Sequence, residues 1–268
     1  MSELLTLSDS IRHILSAIEA LFYSGAFISC LFRSNIGKNI SSALWVTGTA
    51  INTVIVISNW AVNGYMPFVS MYQVLTFLGL TYSFVYIYIS RRFHSEFLRP
   101  YFILFQTIII TGVFFMGKTA AVWTFPPALQ SVYFIPHVFS YMISYTLVAV
   151  AALMCIISFF LKDDNKIRYE KAVYHLVITG FPFMVLGMLL GALWANVCWG
   201  NFWSWDLKET WSLLTVMTLS VYLHLRRTAD YKKYAKVFVI AAFIFEIITL
   251  FFVGMFNSES IHAYNLNI

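Results

Sequence analysis

The sequence predicts an all-α, polytopic integral membrane protein with about eight transmembrane helices. Three observations carry this. Of its 268 residues, 60% are hydrophobic and 11% charged, whereas soluble domains carry about 25% charge. The apolar residues fall into eight runs, most of them near the roughly 20 residues that cross about 30 Å of hydrocarbon. The loops between runs alternate in positive charge, as membrane loops do.

The runs cover 14–32, 41–60, 71–90, 101–117, 137–161, 173–193, 212–225 and 236–256. The seventh is the shortest and could extend back into the segment before it. The length suits several spans but leaves no room for a large extramembrane domain, so 1–268 reads as one transmembrane domain. Cations concentrate in alternate loops: Arg33 and Lys38; Arg91, Arg92 and Arg99; Lys162, Lys166, Arg168 and Lys171; then Arg226, Arg227, Lys232, Lys233 and Lys236. These are fourteen of the seventeen; Arg12, Lys118 and Lys208 are the others. The positive-inside rule then places both termini on the outer side, periplasmic in a bacterium or lumenal in a thylakoid. The net charge of +5 reports this topology and implies no nucleic-acid partner. Cys30, Cys155 and Cys198 form no CxxC pair, so a disulfide framework is not expected.

One segment stands apart. WANVCWGNFWSWDLKETW, 194–211, holds Trp194, Trp199, Trp203, Trp205 and Trp211, five of the eight tryptophans, together with Asp206, Lys208 and Glu209. Tryptophan collects at membrane interfaces whatever the function, but belts scatter one or two rings per helix end. If the segment is helical from Trp199, then Trp199, Trp203 and Asp206 share a face. Indole rings edged by a carboxylate suit a large planar ligand with polar groups at its rim. By topology this segment is an external loop.

Two histidines share that face of the membrane. His137 follows Pro136 at the start of the fifth run, and His262 lies in the tail beyond the last. Each alone is more often structural. As a pair beside an aromatic platform they match a bis-imidazole haem iron site. His224 closes the seventh run beside Arg226 and Arg227, where it is either interfacial or functional. His13, His94 and His175 read as solvated or interfacial. Asp206 and Glu209, with no histidine nearby, make a poor transition-metal site. Gly187 and Gly191 stand four apart in the sixth run and permit close helix contact.

WGNFWSWDLKETW (199–211) resembles the tryptophan-rich "WWD" signature of the cytochrome c assembly proteins. Its KET run is closest to the CcsA (ResC) branch, whose usual form is near WGxxWxWDPKETW. The match holds at Trp199, Gly200, Trp203, Trp205, Asp206, Lys208, Glu209, Thr210 and Trp211. It departs at Leu207, where the family commonly has proline; losing that proline is expected to leave the segment more continuously helical. GYMPFVSMYQVLTFLGL (64–80), GFPFMVLGMLLGALWAN (180–196) and VYLHLR (221–226) resemble the same branch.

The resemblance implies cytochrome c biogenesis with haem b as cargo. His137 and His262 would be the axial ligands, and His224 would mark a second haem position on the route outward. Trp199, Trp203 and Trp205 would pack on the macrocycle. Asp206 would orient the loop or contact the substrate, and Lys208 would pair with a propionate. The implied partners are a CcsB/ResB-like membrane protein, apocytochrome c bearing CxxCH, a thioredoxin-like thiol reductant and membrane lipid. The implied location is the bacterial inner membrane, or the thylakoid membrane in a plastid. A haem exporter, chaperone or regulator of haem synthesis without attachment activity is the alternative; a structural subunit of a respiratory complex fits the clustered Trp and His less well.

Overall fold

Short capping motifs set the helix limits. The computed structural model describes residues 9–32, 34–116, 126–228 and 232–252. Among them are eight α-helices and no strand: α1 Asp9–Leu31, α2 Asn35–Asn63, α3 Met71–Phe93, α4 Arg99–Phe115, α5 Phe134–Phe160, α6 Asp163–Trp199, α7 Leu207–Leu225 and α8 Lys232–Ile247. Ser34 starts α2 by accepting the Gly37 N–H at 3.0 Å. Ser70 and Gln73 close a capping box at the start of α3, which satisfies two otherwise orphaned helix N–H groups. Gly64, at φ 72°, ends α2 in the left-handed conformation that glycine adopts without cost.

Seven of the eight helices, α1 to α6 and α8, are long and apolar enough to cross a membrane. The exception is α7, which corresponds to the shortest apolar run. Its first turn carries Lys208, Glu209 and Thr210, and its body Thr215, Thr218 and Ser220. Helix α6 goes the other way. It runs 37 residues, about 55 Å at 1.5 Å per residue, well beyond the 173–193 run. At that length it exceeds the thickness of the hydrocarbon.

The chain forms two compact units, 1–129 and 130–268. In the first, α1 packs on α2 and α4, and α3 packs on α4 and α2. In the second, α5 lies along α6 and α8, and α7 against α6 and α8. The α5–α6 contact is the most intimate, and glycine explains it. A Cβ at Gly180 would stand 3.1 Å from Leu147 Cβ, and one at Gly187 would stand 2.9 Å from the Tyr141 ring. The expected close contact at Gly187 and Gly191 is thus made, with α5 as the partner. The three cysteines form no disulfide. His94 is exposed, as expected. His13 instead stacks on Phe114 of α4, ring centroids 4.9 Å apart.

Candidate functional site at the tryptophan-rich end of the second unit

In the second unit, α5 begins, α6 ends and α7 begins at the same end. His137, in the first turn of α5, meets the last turns of α6. Its Nδ1 lies 2.7 Å from the Gly187 carbonyl oxygen. A carbonyl can only accept, so Nδ1 carries a proton, and in the neutral ring Nε2 then holds the lone pair. That tautomer suits a metal-ligating histidine, which commonly donates its other N–H to a backbone carbonyl. Gly191 makes the approach possible, because a Cβ there would fall 2.6 Å from His137 Cε1. The spacing of Gly187 and Gly191 reads as packing alone, but here it also seats the imidazole.

Aromatic rings hold His137 from two sides. Trp194 lies 5.7 Å away and tilted, and Tyr141 meets it edge-on at 4.8 Å. Trp194 is buried and in turn touches Trp199 at 5.0 Å. Trp194 is thus the tryptophan against the candidate ligand, although neither the spacing nor the resemblance singles it out.

The expected helical face of Trp199, Trp203 and Asp206 does not form. Gly200, at φ 78°, caps α6, and its N–H donates to Asn196 O at 2.9 Å. Residues 200–206 are then non-helical, and Asp206 is the N-cap of α7. Trp203 pairs with Trp205, centroids 5.9 Å apart, rather than with Trp199. Trp211 turns onto Phe245 of α8 at 5.2 Å. The expectation of a more continuous helix at Leu207 fails for the same reason: Leu207 is the first residue of α7. Proline is favoured at that position because the N–H there has no helical partner. Proline would mark this boundary; its absence does not move it.

The charged residues of the segment build this turn. Asp206 accepts the Lys208 N–H at 2.8 Å. Glu209 Oε2 accepts the N–H groups of Ser204 at 2.8 Å and Asp206 at 3.1 Å. Asp206 and Glu209 are therefore a capping box, a role the D-x-x-E spacing encodes and a search for metal ligands passes over. The residue between the two clasped amides, Trp205, sits at φ 60° and is 70% exposed. A left-handed backbone costs a non-glycine residue roughly 1–2 kcal/mol. Lys208 is half-buried. Burial pulls its ammonium below the usual lysine range, and Asp206 beside it acts in the opposite direction.

Comparison with known proteins bears on what this arrangement belongs to. Residues 68–262 match the family described as Cytochrome C assembly protein. The chain belongs to that family. It is 31% identical to the cytochrome c biogenesis protein CcsA of Chlamydomonas reinhardtii, over 79% of this chain and 64% of that one. Against CcsA of Trieres chinensis the identity is 27%, over 85% and 88%. The solved structure of the cytochrome c haem lyase CcmF shares the fold with a TM-score of 0.65. That match is 14% identical and covers 91% of this chain and 45% of that one. This chain thus spans less than two thirds of the Chlamydomonas reinhardtii CcsA and under half of the lyase.

The structure of this cytochrome c assembly family member brings together some of the expected site residues and separates others. His137 and Trp199 meet through Trp194. Trp203, Trp205, Asp206 and Lys208 lie along the turn between α6 and α7. His224 stands in the last turn of α7, about 25 Å along that helix from Lys208, and is exposed. His262 lies outside the described residues. Among those residues, no group of three or more His, Cys, Asp or Glu is placed to hold a bare metal ion.

Proposed function

We propose that this chain presents haem at the tryptophan-rich end of its second unit for covalent attachment to apocytochrome c. The observation that carries the reading is the His137 Nδ1–Gly187 O bond at 2.7 Å, which orients the imidazole as metal-ligating histidines commonly are, through a hydrogen bond from the other ring nitrogen to a backbone carbonyl. Haem b is the cargo and supplies the vinyl groups; each cysteine thiol of CxxCH adds across one vinyl, forming a C–S bond while the other vinyl carbon takes a proton. The protein's residues position and protect. Trp194 and Tyr141 fix the His137 ring. His137 and His262 would hold the haem iron between them, and two imidazole ligands would keep oxygen from it. Trp199, Trp203 and Trp205 offer indole surface to the macrocycle, and Lys208 pairs with a propionate. Asp206 acts indirectly by capping the helix that carries Lys208.

In this reading residues 1–268 work as one haem-handling domain. The site faces the periplasm of a bacterial inner membrane, or the lumen of a thylakoid. A CcsB/ResB-like protein completes the route across the membrane, and a thioredoxin-like reductant keeps the CxxCH thiols reduced. His224, exposed at the opposite end of α7, supports a second reading in which the chain also exports haem from an entry position. The test is the absorbance spectrum of the detergent-purified protein, oxidised and reduced. A bis-histidine b-type spectrum in the wild type, lost in His137→Ala plus His262→Ala, is expected. Haem retained unchanged in that variant rejects the axial assignment. Formation of covalent haem–peptide product separates attachment from export alone.

A further inference from the structure

The family match begins at residue 68, so α1 and α2 lie outside it, and the first unit's most unusual feature rests largely on them. Arg12, Ser16, Glu19 and Tyr23 recur at i, i+4, i+7 and i+11 on α1 and so line one face. All four are at most 1% exposed. Asn52 and Asn59 of α2, and Tyr72, Gln73 and Thr76 of α3, are at most 2% exposed. Ionisable groups inside a membrane-spanning helix are costly and mark functional sites.

These groups are near one another but under-bonded. Asn52 lies beside Glu19 and Tyr23. Tyr72 lies beside Ser16 and Asn59, within the fields of Arg12 and Glu19. Yet one Glu19 oxygen, both polar atoms of the Asn52 amide, the Tyr72 hydroxyl and Asn59 Nδ2 have no partner at hydrogen-bond geometry. Buried polar groups are normally satisfied. A seam with several spare donors and acceptors around one carboxyl has the capacity to take up and re-orient a proton.

The two ends of the seam differ. Where α1 starts and α3 starts, the lining is Arg12, Ser16 and Tyr72. In the other direction Tyr23 Oη donates to Thr49 Oγ1 at 3.4 Å, and Thr49 and Ser83 share a bond of 2.9 Å. Hydroxyl and carboxyl groups both accept and donate, so they can pass a proton on. The next links cannot. Gln106 Nε2 donates to Ser83 Oγ at 2.7 Å and to Gly79 O at 2.9 Å, and its Oε1 is held by Trp45 Nε1 at 2.9 Å. Amide and indole N–H groups only donate, so the relay stops at Ser83.

We propose that the first unit holds a proton-binding site at Glu19 that exchanges its proton on the Tyr72 side, because the Gln106–Trp45 pair closes the other. The charged or titratable groups facing it are Arg12 and Tyr23 of α1 and Tyr72 of α3; α2 contributes the amides of Asn52 and Asn59, and α4 the amide of Gln106. Arg12 in the seam disfavours a metal cation as the occupant, whereas spare donors and acceptors around a carboxyl suit a proton. The site is independent of the haem reading.

Infrared spectroscopy of the full chain in detergent, in H2O and then D2O, tests it. A protonated-carboxyl C=O band is expected that shifts down in D2O, disappears in Glu19→Gln, is displaced in Glu19→Asp and survives in Glu246→Gln, which removes the buried carboxyl of α8 in the second unit. Tyr72→Phe, which leaves Glu19 in place, slows that shift; Thr49→Val leaves its rate unchanged. The proposal is overturned if no band depends on Glu19, or if the band does not shift in D2O. It is also overturned if Thr49→Val rather than Tyr72→Phe slows the shift.

Discussion

Gly191 and His137 compete for one space: a Cβ on residue 191 would lie 2.6 Å from His137 Cε1 and 2.7 Å from Nδ1. Gly191→Ala must therefore push the ring away from the Gly187 carbonyl or spread α5 from α6. Overpacking of this kind costs about 1–3 kcal/mol. The expected outcome is a lower Tm in detergent together with a weaker, altered haem spectrum. A variant that loses stability yet binds haem with an unchanged spectrum would remove His137 from the iron.

Leu207→Pro should be nearly neutral, within about 0.5 kcal/mol. The residue is N1 of α7, and Asp206 before it already has φ −56° and ψ 153°, the extended conformation that a following proline requires. Thermal unfolding of the two proteins decides this. A drop of several degrees would mean that the start of α7 lies elsewhere.

Much of this was legible beforehand, and the misses share a cause. Apolar run length located the helices, because a span must satisfy its own backbone. The place of His137 in the first turn of α5 was legible from Pro136, and a close helix contact from the four-residue spacing of Gly187 and Gly191. The tryptophan face was misjudged because periodicity assumed one helix across Gly200, whose left-handed φ of 78° ends it. Asp206 is expected either to orient the loop or to contact the substrate; it is the N-cap of α7, a helix start that D-x-x-E encodes. Arg12 looked like an outer-surface cation. Its spacing to Ser16, Glu19 and Tyr23 was visible, but a one-dimensional charge count cannot tell a loop cation from one enclosed at 0% exposure.

Trp205 should trade stability for function. Trp205→Gly relieves its left-handed backbone, worth about 1 kcal/mol, and removes an indole that is 70% exposed. The unfolding midpoint is expected to rise while haem affinity falls. Glu209→Ala tests the clasp itself. Hydrogen exchange at the Ser204 and Asp206 amides should accelerate, since the carboxylate that accepts both N–H groups is gone. If both amides exchange at the wild-type rate, the clasp is not what holds Trp205 in place.

The half-buried Lys208 gives the site a pH dependence whose sign can be worked out. Burial lowers its pKa, with Asp206 opposing, so it deprotonates below the roughly 10.4 of a free lysine. Between the lowered folded value and the unfolded one, the unfolded chain binds more protons, and folding stability from this group rises with pH. Pairing with a propionate requires the ammonium, so haem affinity should fall as pH rises through the same window. Binding the carboxylate raises the lysine pKa again and takes up a proton there. Lys208→Met should bind haem more weakly at neutral pH and show a flat profile across that window. Haem titrations of both proteins over an alkaline pH series settle the matter, and parallel profiles would exclude Lys208 from propionate binding.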